Sequence, residues 1–172
     1  MPIYALGDLE PVIHPEAYVH PEAVVIGNVT IGAESTVWPG AVLRGDEGSI
    51  TVGSGTSIQD GAVLHTTGEF FTVVGDNCTI GHLAHLEGCT VEDLALIGVG
   101  AAVLHRAVIG RAALVGAGAV VTNDMVVPAG AMALGIPAKI RPDAADEETL
   151  RWGAGVYRRR GHQYRADLRR LD

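Results

Sequence analysis

The stretch "VVIGNVTIGAESTVWPGAVLRGDEG" (residues 24–48) carries a branched apolar residue at every sixth position, Val25, Ile31, Val37 and Leu43, with Ala23, Val29, Ser35 and Ala41 two residues before each. The spacing extends back to Val19 and forward through Val52, Ile58 and Leu64. It pauses at "TTGEFF" (66–71), resumes at Val74, Ile80 and Leu86, and then runs from Val91 to Val121 with small partners such as Ala95, Ala107 and Ala119. A large residue with a small one two before it fits a short strand whose alternate side chains point inward, closed by a tight corner. Three such hexads make one triangular coil, and stacked coils bury a continuous ladder. The repeat predicts a parallel β-helix from residue 11 to about 140.

Composition agrees with short, frequently turned strands, with 23 glycines in 172 residues and few aromatics. No apolar run approaches a membrane span, and the N-terminal "MPIYALGDLE" carries acids where a secretory signal carries bases, so a cytoplasmic, non-membrane protein is expected. Cys78 and Cys89 are too few for a disulfide scaffold and read as buried thiols. The net charge of −8 argues against a nucleic-acid partner. From Arg151 to Asp172, seven arginines face two acids, a local +5 that leaves −13 on the preceding 150 residues.

After "GIPAKIRP" the pattern changes, dividing the chain into a β-helix (1–140) and a C-terminal helix (141–172) packed on the prism. Asp143 to Glu148 suit a helix N-terminus, and Leu150, Ala154, Tyr157, Tyr164, Leu168 and Leu171 recur as one helical face. Gly153, Gly155 and Gly161 weaken that helix, which therefore needs a surface to lie on. The acidic prism flank, its own or a neighbour's, is the natural one.

The repeat also aligns polar residues. Arg44, His65 and Glu87 each follow an inward leucine by one residue and lie three hexads apart, so they form one column. Asp60 and His82 each follow an inward isoleucine by two and form another column on a different face. The two columns cannot readily converge within one chain. If His65 and His82 share a ligand they do so across subunits, and a three-sided prism around a threefold axis supplies three such seams. His85, just before inward Leu86, turns outward and reads as an interface or solvent histidine.

Here the sequence resembles the gamma-class carbonic anhydrases, left-handed parallel β-helix proteins that trimerise and end in a C-terminal helix. The "RGD" of the opening stretch, "SIQDGAVLH", "TIGH" and "LGIPAKIRP" carry the likeness over nearly the whole chain, and the left hand of the coil rests on it. The resemblance implies a catalytic metal between subunits, with His65 and His82 in two of three histidine positions. Glu87 stands in the third. Two histidines and a glutamate form an accepted catalytic zinc set, with iron or cobalt also suited to imidazole. The other reading of Glu87 is a salt bridge with no metal.

The resemblance further implies an interface pair at Arg44 and Asp46, with Asp60 accepting from a neighbour's Arg44. It places Gln59 beside the active water and Glu47 as a proton shuttle or an exposed loop acid. Tyr157 reaches the substrate pocket or simply packs in the core. The implied activity is hydration of carbon dioxide to bicarbonate by a homotrimer, weakened by Glu87. Two alternatives stand beside it. One is an acyl-coenzyme A transferase, for which Arg106, Arg111, Lys139 and Arg141 are the main bases and His105 the odd candidate base, with a surface histidine the plainer reading. The other is a trimeric scaffold without chemistry.

Overall fold

The computed structural model describes residues 2–172. Its described residues form twenty short strands followed by one helix, α1 (Glu147–Asp167). The strands wind into a left-handed parallel β-solenoid of about seven turns, the coil following from the hexads and its hand agreeing with the resemblance. One face stacks seven parallel strands, Tyr18–Val19, Thr36–Val37, Ser57–Ile58, Thr79–Ile80, Leu96–Ile97, Leu114–Val115 and Met132–Leu134. The second carries Val63–His65 and His85–Glu87 side by side, and the third carries Thr72–Val74 and Thr90–Val91. Lys139–Arg141 closes the last coil by pairing antiparallel with Met132–Leu134.

The core is the ladder read from the sequence. Val25, Val37, Leu43, Ile58, Leu64, Ile80 and Leu86 are fully buried, and so are the small partners Ala23, Ala41, Ala62 and Ala95. Most rungs touch another branched apolar residue in the coils above and below, for example Ile80 between Ile58 and Ile97. Cys78 and Cys89 lie in this core, where burial pushes both thiols up to about 12 and leaves them unreactive. Shortening one rung by a methyl group loses its contacts on both sides. Ile58→Val is therefore expected to cost about 1 kcal/mol in urea unfolding. A change below a few tenths would show a loosely packed ladder.

Close coil spacing also dictates certain glycines. At Gly27, with φ of +74°, a side chain would meet the Gly45 carbonyl oxygen at 2.4 Å. Only glycine fits, and the approach brings the Arg44 to Asp46 segment over the coil beneath it.

α1 starts later and stops earlier than the 141–172 expected from sequence. Asp146 caps it by accepting from the Glu148 N–H at 3.1 Å, and Glu147 joins Arg111 of the prism to Arg151 of the helix. Leu168 turns extended, so Leu168 and Leu171 leave the helical face and are exposed. The buried face is instead Leu150, Ala154 and Gly161. Gly161 has a packing reason: a Cβ there would lie 2.6 Å from the Thr36 methyl, so its absence lets helix and prism approach. The flank under α1 consists mainly of the strands from Tyr18–Val19 to Thr79–Ile80, with Glu34 the acid that meets Arg158 and His162. No helix among the described residues is long and apolar enough to cross a membrane.

Candidate metal-site residues and their surroundings

Alternation along Val63–His65 and His85–Glu87 buries Leu64 and Leu86, so His65, His85 and Glu87 all face outward. The coil register pairs Arg44 with His65 and His65 with Glu87. His65 Nδ1 lies 3.0 Å from Glu87 Oε1, and Nε2 lies 3.2 Å from Asp46 Oδ1. Asp46 in turn binds Arg44. Glu87 has two further imidazoles, with His85 Nε2 3.2 Å from Oε2 and His105 Nε2 3.5 Å from Oε1.

Partial burial pushes the Glu87 carboxyl up, but hydrogen bonds from His65, His85 and His105 and the charge of His65 carry it below its ordinary value. Asp46 shows the same balance, with burial outweighed by Arg44, a backbone donor and His65. Both carboxylates are thus held ionised.

His105 corrects the surface-histidine reading. Its ring sits 5.6 Å from that of Phe70, whose other neighbour is the Arg106 guanidinium, 4.7 Å from the ring centre. Phe70 belongs to the "TTGEFF" interruption, fixed where Thr66 Oγ1 donates to the Phe70 carbonyl at 2.8 Å. Register counting misses His105 because Leu86 pairs with Val103, which places His105 one residue beyond the column. A diagonal side chain makes the contact. His85, read as an interface or solvent residue, likewise gives its Nε2 to Glu87.

The second group forms around His82. Ile58 and Ile80 are paired, and two residues further on His82 Nδ1 lies 3.0 Å from Asp60 Oδ2. The carboxamide oxygen of buried Gln59 accepts from the His82 backbone N–H at 3.2 Å. Leu83 follows with φ of 59° and is exposed, in a corner column that also holds Gly40, Gly61, Gly100 and Gly118. Tyr157 stands across from His82 on α1, packed against Trp38 at 6.0 Å between ring centres, and both line one hollow. Burial raises the Tyr157 hydroxyl above its ordinary value, with Arg160 opposing and Asp60 adding to the shift.

Within the chain the structure unites His65 with Glu87 and Asp46, and His82 with Asp60 and Gln59. It does not bring the two groups together. Among the described residues, no three or more His, Cys, Asp or Glu side chains of the single chain are arranged to hold a metal. Arg44 is spent on Asp46 and Asp60 on His82 inside the protomer. Glu47 is exposed in the strand Val42–Val52.

Residues 10–45 match the family model described as bacterial transferase hexapeptide (six repeats). The chain is 45% identical over 147 residues to gamma carbonic anhydrase 1, mitochondrial, of Arabidopsis thaliana, covering 82% of this chain but 54% of that protein. It therefore spans about half the length of that relative. It is 41% identical over 152 residues to the carnitine operon protein CaiE of Citrobacter koseri, covering 88% and 77% respectively. The crystal structure of a hexapeptide transferase family protein from Anaplasma phagocytophilum superposes with a TM-score of 0.90 at 36% identity, covering 95% and 98% of the two chains. With the hexad ladder, the coil register and these similarities together, the chain belongs to the hexapeptide-repeat family that holds the gamma carbonic anhydrases and the CaiE proteins.

Proposed function

We propose that this protein is a gamma carbonic anhydrase-like metalloprotein that, as a homotrimer, interconverts carbon dioxide and bicarbonate. A divalent cation, zinc by its ligand chemistry with iron or cobalt as substitutes, would be held by His65 and Glu87 of one protomer and His82 of the next. Bound there, it would supply the Lewis acidity that turns water into a hydroxide nucleophile near neutral pH.

The observation that carries this reading is the Asp60–His82 pair, at 3.0 Å. A carboxylate beside Nδ1 favours the proton on that nitrogen and leaves Nε2 as a bare lone pair, the arrangement that orients a ligating imidazole. The second half of the donor set also fits. His65 and Glu87 stand 3.0 Å apart, close to the roughly 3.3 Å edge of a tetrahedron with bonds of about 2.0–2.1 Å. Both nitrogens of His65 face carboxylates, so one contact can be exchanged for a cation while Asp46 keeps the ring oriented.

The remaining residues position and exclude. Gln59, anchored through its oxygen on the His82 backbone, keeps its NH₂ as a donor beside the site. Tyr157 closes the hollow on the helix side. Acyl transfer from coenzyme A has less behind it: His105, the base that reading would use, gives its Nε2 to Glu87 and its ring to Phe70.

Protein purified without chelator is expected to carry about one divalent cation per protomer, since a closed trimer has three equivalent seams. Stopped-flow hydration rates should then rise in proportion to cation content. Full occupancy with no hydration would overturn the activity and leave the site, and no stoichiometric cation would overturn both.

A further inference from the structure

Between α1 and the prism of a single protomer lies a half-open hollow of about 390 Å³. That volume falls in the roughly 300–1,000 Å³ range of organic-ligand pockets and far exceeds what a three-atom gas needs. Its helix wall is one face of α1, where Gly153, Val156 or Tyr157, Arg160 and Tyr164 recur at steps of three or four. Its prism wall is Trp38, Asp60 and His82, and Trp152 stands at the rim, 69% exposed.

The charges of this hollow are unequal in their commitments. Asp60 already has His82 at 3.0 Å. Arg160 has no acidic side chain within ion-pair distance among the described residues, although Glu34, Glu147 and Asp172 take Arg158, Arg151 and Arg170. Its charge nonetheless reaches into the hollow, where it acts on the Tyr157 hydroxyl. The apolar lining is firm, because Trp38 is nearly buried and held edge-on by Tyr157 and Tyr164, while its indole N–H donates to Thr36 at 2.9 Å. One uncommitted guanidinium over rigid aromatic walls suits a ligand with one negative end and a flat or short apolar body.

We propose that this hollow binds a small organic monocarboxylate, its carboxylate on Arg160 and its apolar body between Trp152, Trp38 and Tyr164. The site stands on these walls and needs neither the cation nor hydration of carbon dioxide. Its place beside His82 would bring such a ligand to the edge of the proposed reaction centre.

The test is titration of the full-length protein with benzoate, followed by tryptophan fluorescence and calorimetry before and after dialysis against a chelator. Benzamide, of the same shape without the charge, is the control. Benzoate is expected to quench fluorescence and to bind about tenfold more tightly than benzamide, with or without chelator. Arg160→Gln should remove that preference without changing benzamide binding, and Trp152→Ala should weaken both ligands. Three results would overturn the proposal. They are no benzoate binding, binding that survives Arg160→Gln but vanishes with chelator, and a Trp152→Ala protein of reduced assembly mass, which would make the hollow a seat for a second copy.

Discussion

His82→Ala is expected to lower carbon dioxide hydration at least 100-fold and to empty the protein of stoichiometric metal while leaving it folded. Losing a ligand outright should exceed the roughly 10–100-fold cost typical of losing the partner that merely orients one. The fold has little to lose here. The imidazole is 43% exposed and pairs with Asp60, and the contact with Gln59 uses the backbone N–H, which alanine retains. Surface changes of this kind stay within about 0.5 kcal/mol. Asp60→Asn provides the graded companion, with metal affinity falling by about 10–100-fold because the imidazole loses the acceptor that orders it. Elemental analysis beside stopped-flow rates checks both. A His82→Ala protein with full metal and unchanged turnover would remove this histidine from the site.

Glu87→His is expected to act in the opposite direction, raising hydration near neutral pH about tenfold and moving the midpoint of the pH–rate profile down by about one unit. The sign follows from charge. Replacing an anionic donor by a neutral imidazole makes the site more positive by one unit, which favours hydroxide over water. Below the midpoint, each unit of lowered pKa increases the hydroxide fraction about tenfold. The substitution also frees His85 and His105, whose carboxylate acceptor disappears. An unchanged profile in a variant with full metal would mean that Glu87 never touched the cation and serves only its three histidines.

The solenoid was legible because its cause is local and repeated. Each inward Val, Ile or Leu solves the same packing problem as the residue one coil away, so the ladder could be counted into the pairings Arg44–His65–Glu87 and Asp60–His82 before any coordinates. The end of α1 was not legible, because Leu168 and Leu171 keep a helical spacing after Leu168 has already turned extended. Gly161 looked like a helix breaker and is a close-approach residue, a distinction that needs Thr36 in place. The imidazole shell of Glu87 was half visible. His85 shares its strand, but His105 arrives diagonally from the next coil, and Phe70 arrives from the one segment where the repeat stops.

The proposed division of the site between two protomers of a trimer is tested most directly by mixing. His65→Ala and His82→Ala chains, each without metal or activity alone, are co-refolded in equal amounts into mixed trimers. If each site takes His65 and Glu87 from one chain and His82 from its neighbour, random assembly pairs an intact His65 with an intact neighbouring His82 at about one seam in four. About a quarter of the wild-type metal content and hydration rate should return. Mixed trimers containing both chains that recover neither would contradict a site shared between subunits.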